Sequence, residues 1–173
     1  IEKIEDEYAQ AALRAKKAEF DAAEFIASAG YLISQFLSPA TNKRTDSYGG
    51  GMENRLRFAL EIVERAKQLV GNSYPITFRL SGEDMVPGGN RLEETKIIAK
   101  KLEDAGVVLF NVTGGWHESR VPQITMDVPR GGYVYLAEGV KKVLSSARVA
   151  ASNRINDPVL AGRIIAEGKV GKV

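Results

Sequence analysis

The 173-residue chain contains no cysteine, one histidine and one tryptophan. Without cysteine these residues supply no disulfide, thiolate metal site, iron–sulfur ligand or cysteine nucleophile. A single histidine, with no carboxylates clustered at ligand spacing, argues against a metal site as well. No apolar run approaches the ~18–20 residues that cross a bilayer. The opening IEKIEDEYAQ is too charged for a secretory signal. A cytoplasmic location without a membrane partner is therefore expected. Charge of one sign is also lacking: Lys plus Arg number 24 and Asp plus Glu 22, a net +2 that supplies no general basic surface for nucleic acid. Neither a P-loop nor a nucleophile elbow occurs. What is present, 44% hydrophobic and 27% charged residues, is ordinary globular composition for one domain. The chain opens without Met and closes on GKVGKV directly after a helix-like segment, so both ends read as cut.

Hydrophobic spacing predicts an amphipathic helix over Ile1–Glu19, with Ile4, Tyr8, Ala11, Ala12 and Ala15 on one face. A short strand follows at Asp21–Ala27, then a long irregular stretch from Ser28 to Gly51. Loops of that length inside compact chains are uncommon and often functional. A helix is expected over Met52–Val70, stopped by Gly71, and a strand over Pro75–Ser81. Next come a helix over Leu92–Ala105, a nearly continuous apolar strand over Val107–Thr113, of the kind buried on both faces, and a helix over Val134–Ser145. Arg148–Ser152 reads as a strand. Pro158–Glu167 reads as a helix, with Asp157 as N-cap and Pro158 in its first turn. Val170–Val173 has the look of a further strand start. Strict alternation of helix and strand implies a parallel α/β fold, either a doubly wound sheet or a (β/α)8 barrel. The absence of GxGxxG after the first strand lowers the prior for a dinucleotide fold.

In such folds the site lies at the carboxyl ends of the strands. Here those ends lead into Ser28-Ala29-Gly30-Tyr31, Arg79-Leu80-Ser81, Gly114-Gly115-Trp116-His117-Glu118 and Ser152-Asn153-Arg154. Arg79 ends an apolar strand, so its charge must meet an acid or an anionic ligand. Arg154 stands just before a capped helix, a place suited to a phosphate beside free backbone N–H groups or to a surface ion pair. His117 is a candidate for proton transfer or substrate binding, against an exposed or structural role. Tyr31 carries a phenol able to protonate a developing carbanion, or else packs beneath the long loop. Trp116 either covers a flat ring or fills a crevice. The segment Lys43–Gly50 with Glu53-Asn54-Arg55 reads as a solvated loop and helix entry.

The run GYLISQFLSPATNKRTDSYGGGMENRLRF at 30–58 resembles the signature of the Old Yellow Enzyme family of FMN-dependent NAD(P)H oxidoreductases. FRLS at 78–81, GGWHESRVPQI at 114–124 with VPRG at 128–131, and SNRINDP at 152–158 are similar to its 2,4-dienoyl-CoA reductase branch. The resemblance implies a (β/α)8 TIM barrel with FMN at the carboxyl ends of its strands. It matches Arg79 to an arginine beside the flavin N1/C2 carbonyl, where a cation stabilises the reduced ring. It matches Arg154 to an arginine on the FMN phosphate, with Ser152 and Asn153 close by, Tyr31 to the proton donor, and His117 to the partner of that Tyr. The implied chemistry is hydride transfer from NAD(P)H to flavin N5 and on to an activated C=C bond of an enoyl or dienoyl thioester or an enone. The substrate is thus a small molecule; the oligomeric state is not indicated.

Some positions depart from the family. Ile26 and Ala29 stand where many members carry a His or a His/Asn pair, which agrees with the dienoyl-CoA reductase branch. Glu19 replaces a helix-ending Gly, and Gly51 replaces a Ser. A complete barrel takes about 250 residues. Residues 1–173 are therefore expected to be one incomplete FMN-binding domain, truncated at both ends, holding about strands four to seven and the start of strand eight. Any 4Fe–4S and FAD sites of a parent protein would fall in regions absent here. An isolated piece would expose strand edges, so poor folding and weak FMN binding alone are expected. Two other readings remain: a non-redox barrel enzyme acting on a phosphorylated substrate, and a cofactor-free scaffold fragment.

Overall fold

The computed structural model describes residues 1–121 and 125–173. The elements run α1 (Glu2–Lys17), β1 (Ala23–Ala27), α2 (Leu32–Leu37), α3 (Met52–Val70), β2 (Ile76–Ser81), α4 (Leu92–Asp104), β3 (Leu109–Thr113), α5 (Val134–Lys141), β4 (Arg148–Ala151) and α6 (Pro158–Ala166). All four strands pair in parallel, in the order β1-β2-β3-β4. Lys172 then bridges to Ala150 in parallel, and its carbonyl accepts the Ala151 N–H at 3.0 Å, as expected for the start of a further strand. Consecutive strands that are also neighbours, each joined through helices, form an arc of a (β/α)8 barrel. A doubly wound sheet would reverse its strand order.

Period-two alternation splits the sheet into two unlike faces. Phe25, Ile76, Phe78, Leu80, Phe110, Val112, Val149 and Ala151 are buried against the helices. Phe25 sits edge-on to Phe78 at 5.7 Å and to Tyr8 of α1 at 5.6 Å. The opposite face carries Glu24, Ile26, Thr77, Arg79, Leu109, Asn111 and Ala150, all exposed or half-buried. The strand at Leu109–Thr113 is thus not buried on both faces, as its apolar run suggested. Asn111 and half-buried Leu109 lie on the open side.

The long loop after β1 is not wholly irregular, because Leu32–Leu37 forms α2. Ile33 and Leu37, four residues apart, dock into the core. Its charged stretch is solvated as expected, with residues 43–47 and Glu53 exposed, but the helix entry is anchored by one buried side chain. Arg55 is buried, donating through Nε to the Leu37 carbonyl at 2.9 Å and through Nη1 to the Gly50 carbonyl at 2.6 Å. Glu19 adopts φ 62°, the left-handed cap conformation that its position required. Helix α5 stops at Lys141, four residues short of the expected end. The turn beyond it is claimed by Glu103 instead. This carboxylate accepts N–H bonds from Ser145, Ser146 and Ala147 at 2.8–3.0 Å and pairs with Lys100 at 2.8 Å.

Glu103 and Glu5 are both buried carboxylates, and they titrate in opposite directions. Burial raises the Glu103 value, but the bonds from Ala147, Lys100, Ser146 and Ser145 outweigh it and hold the group at about 2. A depressed folded value means stability that is present above about pH 4.5 and lost as pH falls through about 2. Glu103→Gln is expected to cost about 1–2 kcal/mol at pH 7, with the difference vanishing near pH 2, as read by denaturant melts. For Glu5, burial and then the Glu61 carboxyl beside it push the value up to about 7, against the pull of Arg65 at 3.3 Å. The folded form therefore holds this proton more tightly than the unfolded chain. Its contribution is complete below about pH 4.5 and lost as pH rises through about 7. Glu5→Gln, neutral throughout, is expected to raise stability by about 1–2 kcal/mol at pH 8 and by little at pH 4. An equal gain at both pH values would contradict this.

Candidate active site

Strand β2 ends at Ser81, in register with Thr113 of β3. Gly82 turns under α5, where a Cβ would stand 2.6 Å from Leu136 Cβ, so only glycine passes. Above that exit the continuations of β1 and β3 close on each other. Ala29 bridges Trp116 in parallel, and the His117 N–H reaches the Ala29 carbonyl at 3.4 Å. The Ser81 hydroxyl fills the gap, accepting from the Ala29 N–H at 3.1 Å and donating to the Gly115 carbonyl at 3.2 Å. Gly30, at φ 88°, lets the chain turn past the Glu118 carboxylate, which would lie 2.9 Å from any Cβ there.

That convergence brings Tyr31 to His117. The phenol oxygen lies 3.4 Å from His117 Nε2, and the rings meet edge to face at 5.6 Å. Both residues are exposed, and Tyr31, although it is the N-cap residue of α2, makes no side-chain cap bond. The phenol is exposed, and its side-chain partner among the described residues is His117. Trp116 is buried, 3% exposed, and fills the crevice beneath.

On the open face a polar rail crosses the sheet. Arg79 pairs with Glu24 through Nη2 at 2.6 Å and Nε at 2.9 Å. Asn111 Nδ2 donates to the other Glu24 oxygen at 3.2 Å, and the Ser152 hydroxyl donates to Asn111 Oδ1. Arg79 thus meets an acid, but with its side chain 41% exposed it also faces a ligand from the open side. So exposed a pair adds only about 0–1 kcal/mol to stability. Sequence reading missed Glu24 and Asn111. A charge within a five-residue strand, and an Asn inside an apolar run, were the available signals.

At the end of β4, Asn153 and Arg154 take successive left-handed conformations, φ 70° and 57°. Of the five non-glycine residues in that region among the described residues, Ala29, Met85, Asn153 and Arg154 all follow strand carboxyl ends, and such strain clusters at functional sites. Arg154 Nε donates to the Val128 carbonyl at 2.9 Å, and Asn153 Oδ1 accepts from Gly114 at 3.3 Å. Ser152, Asn153, Arg154 and Asn156 line a cleft of about 410 Å³. The helix beside it does not offer all the free N–H groups expected, because Asp157 takes those of Val159 and Leu160. The side chains of Asn153, Arg154 and Asn156 are thus the main donors, since the Ser152 hydroxyl gives its proton to Asn111. They suit a phosphate monoester, and the rail suits the polar edge of a flat ring.

Among the described residues no group of His, Asp and Glu could hold a metal ion, and no helix is long and apolar enough to cross a membrane. The last three residues of the 114–124 segment, Pro122, Gln123 and Ile124, lie outside the described residues.

The family model for the NADH:flavin oxidoreductase / NADH oxidase family matches residues 1–171. A metal reductase of Desulforamulus reducens is 54% identical over 98% of the chain and 25% of that protein. An NADH oxidase of Thermoanaerobacter brockii is 48% identical over 98% of the chain and 26% of its own length. Among solved structures, 2-naphthoyl-CoA reductase in complex with 2-naphthoyl-CoA superposes with a TM-score of 0.92 and 40% identity, over 98% of this chain and 26% of that one. The chain spans about a quarter of the length of these proteins.

Proposed function

The chain belongs to the NADH:flavin oxidoreductase / NADH oxidase family, and from that premise we propose that it forms part of the single FMN-binding barrel domain of an enzyme that reduces activated C=C bonds. The substrate class is an enoyl or dienoyl thioester or an enone, and the reductant is cytoplasmic NAD(P)H. One observation carries the reading: the Tyr31 hydroxyl lies 3.4 Å from His117 Nε2 at the mouth of the arc, presented to solvent. The likeness to a reductase solved with an aromatic acyl-CoA supports the thioester class. The 4Fe–4S and FAD sites of a larger parent would lie outside these residues.

FMN, when bound, supplies hydride acceptance and donation. The residues that would hold it are Arg79 on the open face and Arg154 with Ser152 and Asn153 in the polar cleft. Arg79 places a fixed cation where charge builds on the ring, already oriented by Glu24, so little reorganisation is needed. Arg154 brings a fork of donors to the phosphate. Tyr31 delivers a proton to the substrate carbon next to its activating group. His117 orients that phenol and relays the replacement proton from solvent.

The test is to express the full-length protein, reconstitute it with FMN and record its visible spectrum. NAD(P)H consumption is then assayed with a dienoyl-CoA and with a simple enone. A protein without a flavin band near ~450 nm would sink the reading. Turnover of the enone alone would move the substrate class away from thioesters.

A further inference from the structure

We propose that Ser81 is the positioning residue of the Tyr31–His117 pair, an inference that rests on the functional reading given to those two residues. Its hydroxyl holds the chain ends after β1 and β3 at one fixed separation. A hydroxyl is suited to this task because it has one proton to give and lone pairs to accept with. Both capacities are used at once, toward Ala29 N–H at 3.1 Å and Gly115 C=O at 3.2 Å.

The two anchored residues are equivalent. Ala29 lies two residues before Tyr31, and Gly115 lies two residues before His117. Both adopt left-handed backbone, φ 59° and 77°, so each chain turns immediately above the pin. The distance the hydroxyl spans is therefore carried two residues up each chain to the phenol and the imidazole. Ser81 is itself held firmly. It is 5% exposed, it ends β2 in register with Thr113, and its carbonyl accepts from Thr95 Oγ1 at 3.3 Å. The Ser81 hydroxyl bonds to Ala29 and Gly115 and not to Tyr31 or His117. Its influence on chemistry passes through the two backbones.

The experiment uses the full-length, flavin-loaded protein with Ser81→Ala and the near-isosteric pair Ser81→Thr and Ser81→Val. Crystal structures read the separation of Tyr31 Oη and His117 Nε2, and rapid-mixing kinetics read flavin reduction by NAD(P)H apart from substrate reduction. The Ala and Val variants are expected to widen the separation by at least ~0.5 Å and to slow substrate reduction at least tenfold, with flavin reduction within about twofold of the parent. Thr, which retains the hydroxyl, is expected to keep both. If Ala fails to fold, Thr against Val decides, since the two differ in the hydroxyl and little in shape. An unchanged separation in Val, or a Thr variant no better than Val, overturns the proposal. A widened separation with unslowed substrate reduction leaves Ser81 as the pin and instead removes the role given to His117 in orienting Tyr31.

Discussion

Tyr31→Phe is expected to slow substrate reduction by about 10²–10³-fold while flavin reduction by NAD(P)H stays within about twofold. The substitution removes one oxygen and keeps the ring, so the edge-to-face contact with His117 at 5.6 Å survives and the fold is not disturbed. What disappears is the proton whose oxygen lies 3.4 Å from Nε2. His117→Gln keeps a polar side chain of similar reach and is expected to give a smaller loss, about tenfold. Separating the two halves of the cycle by rapid mixing decides the matter. Equal loss in both halves would mean that Tyr31 serves the binding of the ring and not protonation. An effect confined to apparent substrate affinity would assign it to docking alone.

The fold was legible because its signals are local and repeated. Apolar residues recur at helical spacing from Met52 to Val70, Gly71 adopts φ 80° at the cap, and the helix ends where the spacing said it should. Asp157 caps α6 for the same reason. The misses were tertiary. Helix α2 is only six residues long, too short to stand on propensity, and the buried apolar side chains Ile33 and Leu37 hold it against the core. Helix α5 ends early because Glu103, some forty residues away in sequence, takes the N–H groups of the next turn.

At the site the same division holds. Tyr31, His117, Arg79 and Arg154 stood out as costly side chains at strand ends, and the structure brings the first two within hydrogen-bonding reach. The groups that arrange them are ordinary in sequence. Ser81 looks like any serine ending a strand, and its value comes from two backbone groups 52 and 34 residues distant. Glu24 and Asn111 acquire a role only once the register sets strands β1, β2 and β3 side by side. Parity offered a clue, since Arg79 and Ser81 share a face, as do Asn111 and Thr113. It could not say which residues of other strands they would meet.

Arg154→Ala is expected to raise the FMN dissociation constant by about 30–100-fold, equivalent to ~2–3 kcal/mol for a charge-assisted phosphate contact. Turnover at saturating FMN is expected to stay within about threefold. Backbone strain does not confuse this comparison. Residue 154 sits at φ 57°, a conformation that Ala and Arg adopt at similar cost, so the change isolates the guanidinium. One structural duty goes with it, the Nε bond to the Val128 carbonyl at 2.9 Å, which ties down the stretch before α5. Arg154→Lys separates the two effects. A lysine returns the charge without the planar fork and is expected to recover only part of the affinity. Riboflavin provides the sharper control, because it carries the same ring and no phosphate. If Arg154 holds the phosphate, the Ala variant loses FMN affinity and keeps riboflavin affinity, so the preference for FMN over riboflavin shrinks. If both fall together, the arginine shapes the pocket through Val128 and the phosphate must be held by other donors of the cleft, Asn153 or Asn156.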